Sequence, residues 1–369
     1  MSAPSNANPP PDALPFPLIS LSDLSSPDAE SRSRLAHAVT SALHDVGFLY
    51  LVDHGIEQRK IGRMFEIAKK SFDFPDAEKE RFRQDHNQLG FKPFADQPNH
   101  AALAGTEGDA TKMYGKEHWN LPGKWGVGNF DDNMEREWPP VILDHQDELD
   151  DFDRDCNTLV KKLLRCVAEG LQIPESTGGV GYFDELHRYD RHSGCVLRFL
   201  HYPPLPPDYG LAETGYTRIN AHFDIGTVTL LFQQDVGGLH AKDQSGKWVY
   251  VPPMEGAIVV NLGEELMYMT DGYLKATQHK VVATTPTEHS TSRFSIAYFA
   301  YPDFETPIRP IASPVVEAHG REERARGVPN GGPPDGTSAM QYLEKKYKGI
   351  YGFTTGWSDK RGTAGVKTA

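Results

Sequence analysis

Short segments rich in β-branched and aromatic residues recur between residues 219 and 299, and they constrain the fold of this chain more than any other feature. Each has the length of one β-strand, and turn residues such as Gly237-Gly238 separate one segment from the next. This part of the chain is therefore predicted to be a β-rich core. The strand-like runs cover residues 227–232, 248–252, 256–263, 279–282 and 293–299.

Two histidines and one aspartate in this region form a pattern that can hold a metal ion. His222 and Asp224 precede the run 227–232 and so lie at a strand edge, where side chains i and i+2 project to the same side. His279 follows much later in the chain. Two imidazoles and one carboxylate on one face of an octahedron leave three adjacent positions for substrate, co-substrate and oxygen. The pattern predicts a catalytic iron(II) site.

An H-x-D spacing alone is weak evidence, because a chain with 15 His and 51 acidic residues contains such spacings by chance. A second one, His145-Gln-Asp147, lies in an acidic stretch without strand-forming residues, and we interpret it as the solvated start of a helix. For His222 and Asp224 the structural alternative is a hydrogen-bonded histidine beside a turn aspartate. The presence of His279 and Arg293 favours the metal site.

The region 219–299 resembles the iron(II)/2-oxoglutarate dioxygenases of the isopenicillin N synthase-like superfamily. The helix, Gly-Phe strand and His-Gly-Ile ending between residues 32 and 56 resemble the N-terminal region of the same superfamily. The matching motifs are H-x-D-x-G-x-x-T-L-L from His222, followed by one extra Gln before Asp235, then Gly-Gly-Leu, W-x-x-V-x-P, V-V-N-x-G, D-G-x-x-K-x-x-x-H-[RK]-V from Asp271 to Val281, and R-x-S at Arg293.

The resemblance implies an α+β protein with a mostly β core, a double-stranded β-helix (jelly-roll, cupin-like) with flanking helices. It implies Fe(II) held by His222, Asp224 and His279, with 2-oxoglutarate and O2 as co-substrates. Oxidation of a C–H bond in a small metabolite would then accompany decarboxylation of 2-oxoglutarate to succinate and CO2.

The far carboxylate of 2-oxoglutarate is expected at Arg293, Ser295 and Tyr202. Arg293 offers a planar fork suited to a carboxylate, and Ser295, two residues along the same strand, points the same way. The role of Tyr202 follows from the resemblance alone, since family members place a tyrosine immediately before the proline at this point. Leu200 departs from the family, because plant-type members have Asn at its position.

The outcome of the oxidation is expected to be hydroxylation, desaturation or oxidative cyclisation, by family analogy in specialised (secondary) metabolite biosynthesis. Ordinary core or surface roles are the alternative for each residue that we assign to substrate contact. These candidate substrate-facing residues are Tyr114, Lys116, Glu117, Phe232, Ile350 and Phe353.

Two other functions compete with this interpretation. An iron oxidase of the same fold would use no 2-oxoglutarate, and Arg293 and Ser295 would bind the carboxylate of an amino-acid or peptide substrate during ring closure. A metal-free jelly-roll binding module is the third possibility. Substrate-dependent release of succinate separates the first two, and an anaerobic titration with ferrous ion tests the third.

The composition of the chain limits the binding partners and the cellular compartment that we expect for it. The net charge of −13 argues against nucleic-acid binding, which calls for a basic patch. No apolar run has membrane-spanning length, and the N-terminus lacks the charged and apolar blocks of a signal peptide. Three scattered cysteines are unlike a disulfide framework. We expect a cytoplasmic protein with a small-molecule substrate, without a nucleic-acid or membrane partner, as a monomer or weak dimer.

The chain is expected to divide into a flexible leader (1–15), an N-terminal helical and strand region packing on the core (16–180), the catalytic double-stranded β-helix (190–302), and a C-terminal loop, helix and tail covering the active site (303–369). Apolar periodicity predicts helices at 32–45, 57–72 and 151–171. Residues 85–138 show little regular patterning, which is typical of a functional loop or lid. Thr337 or Ser338 is expected to cap a last helix that ends near residue 348.

Overall fold

The computed structural model describes residues 9–10, 13–84, 88–93, 115–123, 136–204, 217–327, 332–334 and 336–351. Two predicted substrate-facing residues, Tyr114 and Phe353, lie outside these ranges, as do parts of the predicted leader and of the predicted loop 85–138. The strands are β1 (Leu18–Ser20), β2 (Phe48–Val52), β3 (Gly90–Lys92), β4 (Glu117–Pro122), β5 (Val196–Tyr202), β6 (Ile219–His222), β7 (Val228–Gln233), β8 (Leu239–Lys242), β9 (Trp248–Tyr250), β10 (Ile258–Leu262), β11 (His279–Val281) and β12 (Arg293–Ala300).

These strands form two sheets. The larger sheet has the order β1-β2-β10-β7-β12-β5-β4-β3, and the smaller has the order β6-β11-β8-β9. Neighbouring strands are antiparallel except for β1 and β2, which are parallel. The region before residue 180 thus contributes half of the larger sheet in addition to its helices.

Helices cover the larger sheet, and the mixed α+β class agrees with the prediction. Within the described residues they are α1 (Ala29–Asp45), α2 (Gln58–Phe72), α3 (Asp76–Lys79), α4 (Pro140–Leu143), α5 (Gln146–Gly170), α6 (Glu264–Met269), α7 (Pro286–Ser290), α8 (Pro314–Ala325) and α9 (Ala339–Tyr351). No helix of the described ranges has both the length and the apolar character needed to cross a lipid bilayer.

The helix predictions are confirmed, with shifted ends. The side chain of Asp28 accepts hydrogen bonds from the first-turn amides of α1, so this helix begins at Ala29, within the segment 25–30 that the sequence predicts as a helix start. Helix α5 begins at Gln146, ahead of the apolar periodicity at 151–171, and this confirms the interpretation of His145-Gln-Asp147 as a helix start, where Asp147 and Glu148 favour an N-terminus. At α9, the Ser338 hydroxyl accepts from the amide of Gln341, as the capping prediction requires.

The prediction of an irregular segment at 85–138 is wrong where the structure describes it. Strands β3 and β4 lie in this segment and form the edge of the larger sheet beside β5. The β4 sequence Glu-His-Trp-Asn-Leu-Pro alternates polar and apolar side chains only from His118 to Leu121, a strand signal too short to stand out in this segment. Pairing with β5 along its length decides its conformation.

The larger sheet has two different faces. One packs on helices α1, α2 and α5 through a large apolar cluster that includes Leu51, Phe152 and Phe232. The other faces the smaller sheet across a second cluster, in which side chains of both sheets meet; it includes Tyr50, Leu200, Val259, Ala297, Leu239, Ala241 and Val281. The space between the two sheets next to this second cluster is where the candidate site lies.

Candidate functional site

The structure brings the three predicted metal ligands together. His222 ends β6 and His279 begins β11, and the two are directly opposite one another in this antiparallel pair. Asp224 follows β6, and its Oδ1 lies 3.8 Å from Nε2 of His222 and 3.7 Å from Nε2 of His279. One ligand atom from each residue lies within 4.8 Å of the other two. A single cation between them could contact all three atoms.

Backbone hydrogen bonds orient both imidazoles. Nδ1 of His222 lies 2.8 Å from the carbonyl oxygen of Asn220, and Nδ1 of His279 lies 3.2 Å from that of Thr277. A proton on each Nδ1 donates to the carbonyl and leaves the lone pair on Nε2, the atom that faces Asp224. Metal-binding histidines are usually held by such a bond from the second ring nitrogen.

The larger sheet holds the carboxylate from the opposite side. Oδ2 of Asp224 accepts hydrogen bonds from Thr229 Oγ1 and Asn261 Nδ2, both at 2.6 Å. Thr229 on β7 and Asn261 on β10 are cross-strand partners, so the register of these two strands aims both donors at one oxygen. Oδ1 is thereby directed towards the two histidines. Gly226 is required nearby, because a Cβ there would collide with the carbonyl of Ala300.

The ionisation states suit a divalent cation. Burial, together with the nearby charge of His279, lowers the pKa of His222 to about 3, so this imidazole is neutral at pH 7. Burial disfavours the charge on Asp224, but the two imidazoles and the bonds from Thr229 and Asn261 outweigh it and keep its pKa below the ordinary value. A neutral imidazole and an ionised carboxylate are the forms that coordinate metals.

A second group of predicted residues forms a carboxylate-sized site on the larger sheet. Arg293 on β12 is opposite Tyr202 on β5, and Ser295 is opposite Gln233 on β7. The guanidinium of Arg293 donates to Ser295 Oγ and to Gln233 Oε1, both at 3.2 Å, and its carbon lies 4.6 Å from the centroid of the Tyr202 ring. All four side chains thus meet at one point.

Two donors at this point lack a partner. Nε of Arg293 and Nε2 of Gln233 are buried without a hydrogen bond to any of the described residues. Buried donors of a native protein are almost always satisfied, and a carboxylate satisfies several at once. These side chains therefore fit the far carboxylate of a dicarboxylate such as 2-oxoglutarate. Gln233 was not predicted, since only the pairing of β7 with β12 places it beside Arg293.

Both groups line one cavity between the sheets, of about 1120 Å³ with its open mouth included. The cavity contains the three predicted metal ligands together with Arg293, Ser295 and Tyr202. Leu200 also lines it, so the family asparagine that this chain lacks is replaced by an apolar wall. A ligand bound at Arg293 and a metal at His222 would share the same enclosed space.

The predicted substrate-facing residues divide into two sets. Lys116 and Ile350 line the cavity. Glu117 is not part of its lining, because its carboxylate lies 2.8 Å from Nζ of Lys79 and 2.7 Å from Nδ1 of His201. That carboxylate has a structural partner on each side, so the structure assigns it no contact with the cavity.

The prediction that Phe232 faces the substrate is wrong. Side chains alternate along β7, and Thr229 and Leu231 are the ones that line the cavity. Phe232 lies on the opposite face, where its ring centroid is 5.2 Å from that of Phe152 on α5. It belongs to the core between sheet and helix.

Comparison with known proteins agrees with this geometry. Residues 192–302 match the model of the 2OG-Fe(II) oxygenase superfamily, and residues 16–129 match that of the non-haem dioxygenase in morphine synthesis N-terminal region. The proline hydroxylase buaE of Petromyces alliaceus is 30% identical over 285 residues, which cover 74% of this chain and 83% of the relative. The chain belongs to the 2OG-Fe(II) oxygenase superfamily.

Further members of the 2OG-Fe(II) oxygenase superfamily show the same relationship. The 2-oxoglutarate-dependent dioxygenase frbA of Dothideomycetidae sp. (strain 11243) is 29% identical over 289 residues, covering 74% of this chain and 82% of its own. A full-length Neurospora crassa protein, crystallised in complex with alpha-KG, is 26% identical, with a TM-score of 0.66 and coverage of 82% and 88%. The predicted superfamily and its double-stranded β-helix are therefore confirmed.

As a 2OG-Fe(II) oxygenase, the protein is an oxidoreductase whose cofactors are Fe(II) and 2-oxoglutarate. The donor set of the triad and the two unsatisfied donors near Ser295 fit these groups. Thr229 and Asn261 were not predicted to support a metal ligand. A signal was present in the T-L-L and V-V-N motifs, but only the pairing of their strands relates the two residues to Asp224.

Proposed function

We propose that this protein oxidises a C–H bond of a small metabolite in a 2-oxoglutarate-dependent reaction, with His222, Asp224 and His279 as the Fe(II) ligands. Hydroxylation, desaturation or oxidative cyclisation is the outcome, within specialised metabolite biosynthesis. The observation that supports this proposal best is the convergence of a two-histidine, one-carboxylate set and a buried arginine site in one cavity.

Arg293, Ser295 and Tyr202 bind the far carboxylate of 2-oxoglutarate in this proposal. Gln233 supports them, because its side-chain oxygen accepts from Arg293 while its amide donor is available for the ligand. A carboxylate anchored there would direct the 2-oxo acid end of the molecule along the cavity towards the histidines. Arg293 thus determines the orientation of the co-substrate as well as its affinity.

Fe(II), when bound, supplies the redox chemistry by which 2-oxoglutarate and O2 are converted and a C–H bond is oxidised. The protein positions the reacting groups and excludes water from the cavity. Thr229 and Asn261 fix the carboxylate of Asp224, and apolar side chains form much of the remaining lining beside Lys116 and Arg198. Tyr347 and Ile350 of α9 contribute to this lining.

Helix α9 is tied to the core beside the metal-ligand region. Nζ of Lys346 lies 2.6 Å from a carboxylate oxygen of Glu264 on α6, and the hydroxyl of Tyr342 donates to the same carboxylate at 3.3 Å. Because these contacts hold the helix that carries Ile350, we propose that the C-terminal region covers the active site and limits the size of the substrate.

The oxidase alternative, in which Arg293 would bind a substrate carboxylate directly, is less well supported. Relatives over most of this chain carry the name 2-oxoglutarate-dependent dioxygenase, among them citB of Monascus ruber at 29% identity. The similar Neurospora crassa structure contains alpha-KG. These relationships favour 2-oxoglutarate as the occupant of the Arg293 site.

The test is Fe(II)- and 2-oxoglutarate-dependent release of succinate, measured with and without a panel of small metabolites. We expect wild-type protein to release succinate slowly alone and faster with a substrate, and His222→Ala to lose both activities. His240→Ala is a matched control. Nδ1 of His240 is also hydrogen-bonded to a backbone carbonyl two residues earlier, that of Gly238, but His240 does not line the cavity. Full activity of His222→Ala would refute the ligand assignment.

The proposal also includes a cellular location, an oligomeric state and the kind of binding partner. A cytoplasmic location is supported by Cys156, Cys166 and Cys195, which are all buried thiols, as in a reducing compartment. We further propose that the protein acts as a monomer or weak dimer on small molecules, without a nucleic-acid or membrane partner. Sedimentation at micromolar concentration tests the oligomeric state.

A further inference from the structure

Among the described residues, the basic side chains of Lys116 and Arg198 line the cavity in addition to Arg293. Arg198 and Tyr202 lie on the same face of β5, about 13 Å apart along the strand at about 3.3 Å per residue. Tyr202 is paired with Arg293, whereas Arg198 is paired with Ala297. Arg198 is therefore set apart from the site that we assign to 2-oxoglutarate, although both open into one cavity.

The guanidinium of Arg198 is held in a defined position. Its Nε donates to Asn120 Oδ1 at 2.6 Å, and Asn120 in turn donates to the carbonyl of Gln88 at 2.7 Å. The guanidinium carbon lies 4.7 Å from the centroid of the Phe299 ring. Among the described residues, its two terminal nitrogens have no hydrogen-bond partner. Two parallel N–H groups of this kind match a carboxylate.

Lys116 adds a nitrogen donor to the lining of the same cavity. It lines the cavity with only 4% of its surface exposed. Burial and the charges of Arg198 and Lys92 hold the pKa of Lys116 well below its usual range. The amino group of Lys116 lies close enough to Arg198 and to His222 to interact electrostatically with both. It therefore adds a hydrogen-bond donor near the guanidinium of Arg198, whose charge favours an anion.

The charges of the other ligands do not supply that anion. Fe(II) carries two positive charges and 2-oxoglutarate two negative ones, while Arg293 and Asp224 contribute one of each sign. These groups cancel, and Asp224 is the only acidic residue among the described residues that line the cavity. The described lining therefore keeps the positive charge of Arg198 when metal and co-substrate are bound.

We propose that Arg198 and Lys116 bind a carboxylate of the substrate, so that the substrate class is a small organic acid with an apolar body. This inference rests on the proposed function and identifies its substrate class. Asn120 is a positioning residue for Arg198. The body of the acid lies against the apolar side chains beside the metal ligands, among them Val196, Phe223, Ile225, Phe299 and Ile350.

The test uses monocarboxylic acids from butyrate to indole-3-acetate, each paired with its primary amide. Binding to the anaerobic protein loaded with Fe(II) and 2-oxoglutarate is measured by calorimetry, and succinate release is measured in air. We expect at least one acid to bind and to accelerate succinate release, and its amide to bind about 10- to 100-fold more weakly, because the amide lacks the charge.

Substitutions of Arg198 and Lys116 test whether these two residues cause the preference for the acid over its amide. Arg198→Met and Lys116→Met should each weaken binding of the acid about 10- to 100-fold and leave the KM for 2-oxoglutarate within about twofold. Arg154→Met is the matched control, because Arg154 lies outside the cavity but makes the same two kinds of contact as Arg198. Its Nε donates to the carboxylate of Asp150 at 2.9 Å, and its guanidinium carbon lies 4.2 Å from the centroid of the Tyr189 ring. If Arg198→Met fails to fold, Arg198→Lys and Asn120→Ala replace it in the same binding measurement.

The outcomes separate the two proposals. Equal binding of acids and amides, binding of no acid in the panel, or an unchanged acid affinity in Arg198→Met would overturn the assignment of a substrate carboxylate to Arg198 and Lys116. In each of these cases 2-oxoglutarate would still bind in a manner that depends on Arg293. Failure to bind 2-oxoglutarate or to release any succinate would instead overturn the proposed function itself.

Discussion

Removal of the hydroxyl group of Thr229 tests how far the larger sheet controls the metal site. Thr229→Val keeps the shape of the side chain and deletes one of the two hydrogen bonds to Oδ2 of Asp224. A hydrogen bond to a charged group contributes about 1.5–3 kcal/mol. A loss of this size in the metal-bound state corresponds to a roughly 10- to 100-fold weaker affinity for Fe(II), at about 1.4 kcal/mol per tenfold.

The assay is an anaerobic competition between the protein and a chromophoric chelator for Fe(II). Thr270→Val is the control, because Thr270 is also buried and its hydroxyl donates to the carbonyl of Leu266 at 2.9 Å, away from Asp224. We expect the control to bind Fe(II) as the wild type does, whatever its effect on unfolding. An affinity within twofold of wild type for a folded Thr229→Val protein would refute the reasoning.

Two further predictions concern the same cavity, and a third concerns the buried carboxyl group of Glu265, which is not part of the cavity lining. Arg293→Lys should raise the KM for 2-oxoglutarate roughly 10- to 100-fold in succinate assays and change kcat little, because an ammonium group cannot reproduce the planar fork. Saturating Fe(II), at 100 times its Kd, should stabilise wild-type protein by about 2.7 kcal/mol in anaerobic denaturation, and Asp224→Ala should abolish this effect. Burial and the charge of Glu264 raise the pKa of Glu265 well above its ordinary value, so the folded protein retains a proton that the unfolded chain loses above about pH 4.5. The stability of the metal-free protein in urea titrations should therefore fall as the pH rises above about 4.5, and Glu265→Gln should lack this contribution.

The position of Arg198 shows what pairing information adds to a motif. Its sequence neighbours Leu197 and Phe199 are apolar, and nothing in this run distinguishes a cavity arginine from a surface one. The register of β5 places Arg198 beside Asn120 of β4, a strand whose alternating pattern is only four residues long. A prediction from sequence that treats residues 85–138 as a loop therefore cannot place Asn120 next to Arg198.

The sequence by itself paired His222 with Asp224 and Arg293 with Ser295, because each pair depends on local geometry, whereas His279 and the co-substrate role of Arg293 came from the resemblance of the motifs. Positions i and i+2 of extended chain project to one side, so His222 with Asp224 and Arg293 with Ser295 could be paired before any fold was known. Helix ends were equally accessible, since the capping side chain of Ser338 lies next to the amides that it binds.

Only the tertiary structure decided which face of each strand meets the cavity. Alternation along β7 requires Leu231 and Phe232 to point to opposite faces of the sheet. The sequence is compatible with either residue facing the cavity, and the packing of Phe232 on Phe152 selects the observed arrangement. The support of Asp224 by Thr229 and Asn261 likewise depends on the register of two strands that are distant in sequence. Long-range pairing of this kind has no local signature, because the energy that selects it comes from contacts across the folded sheet.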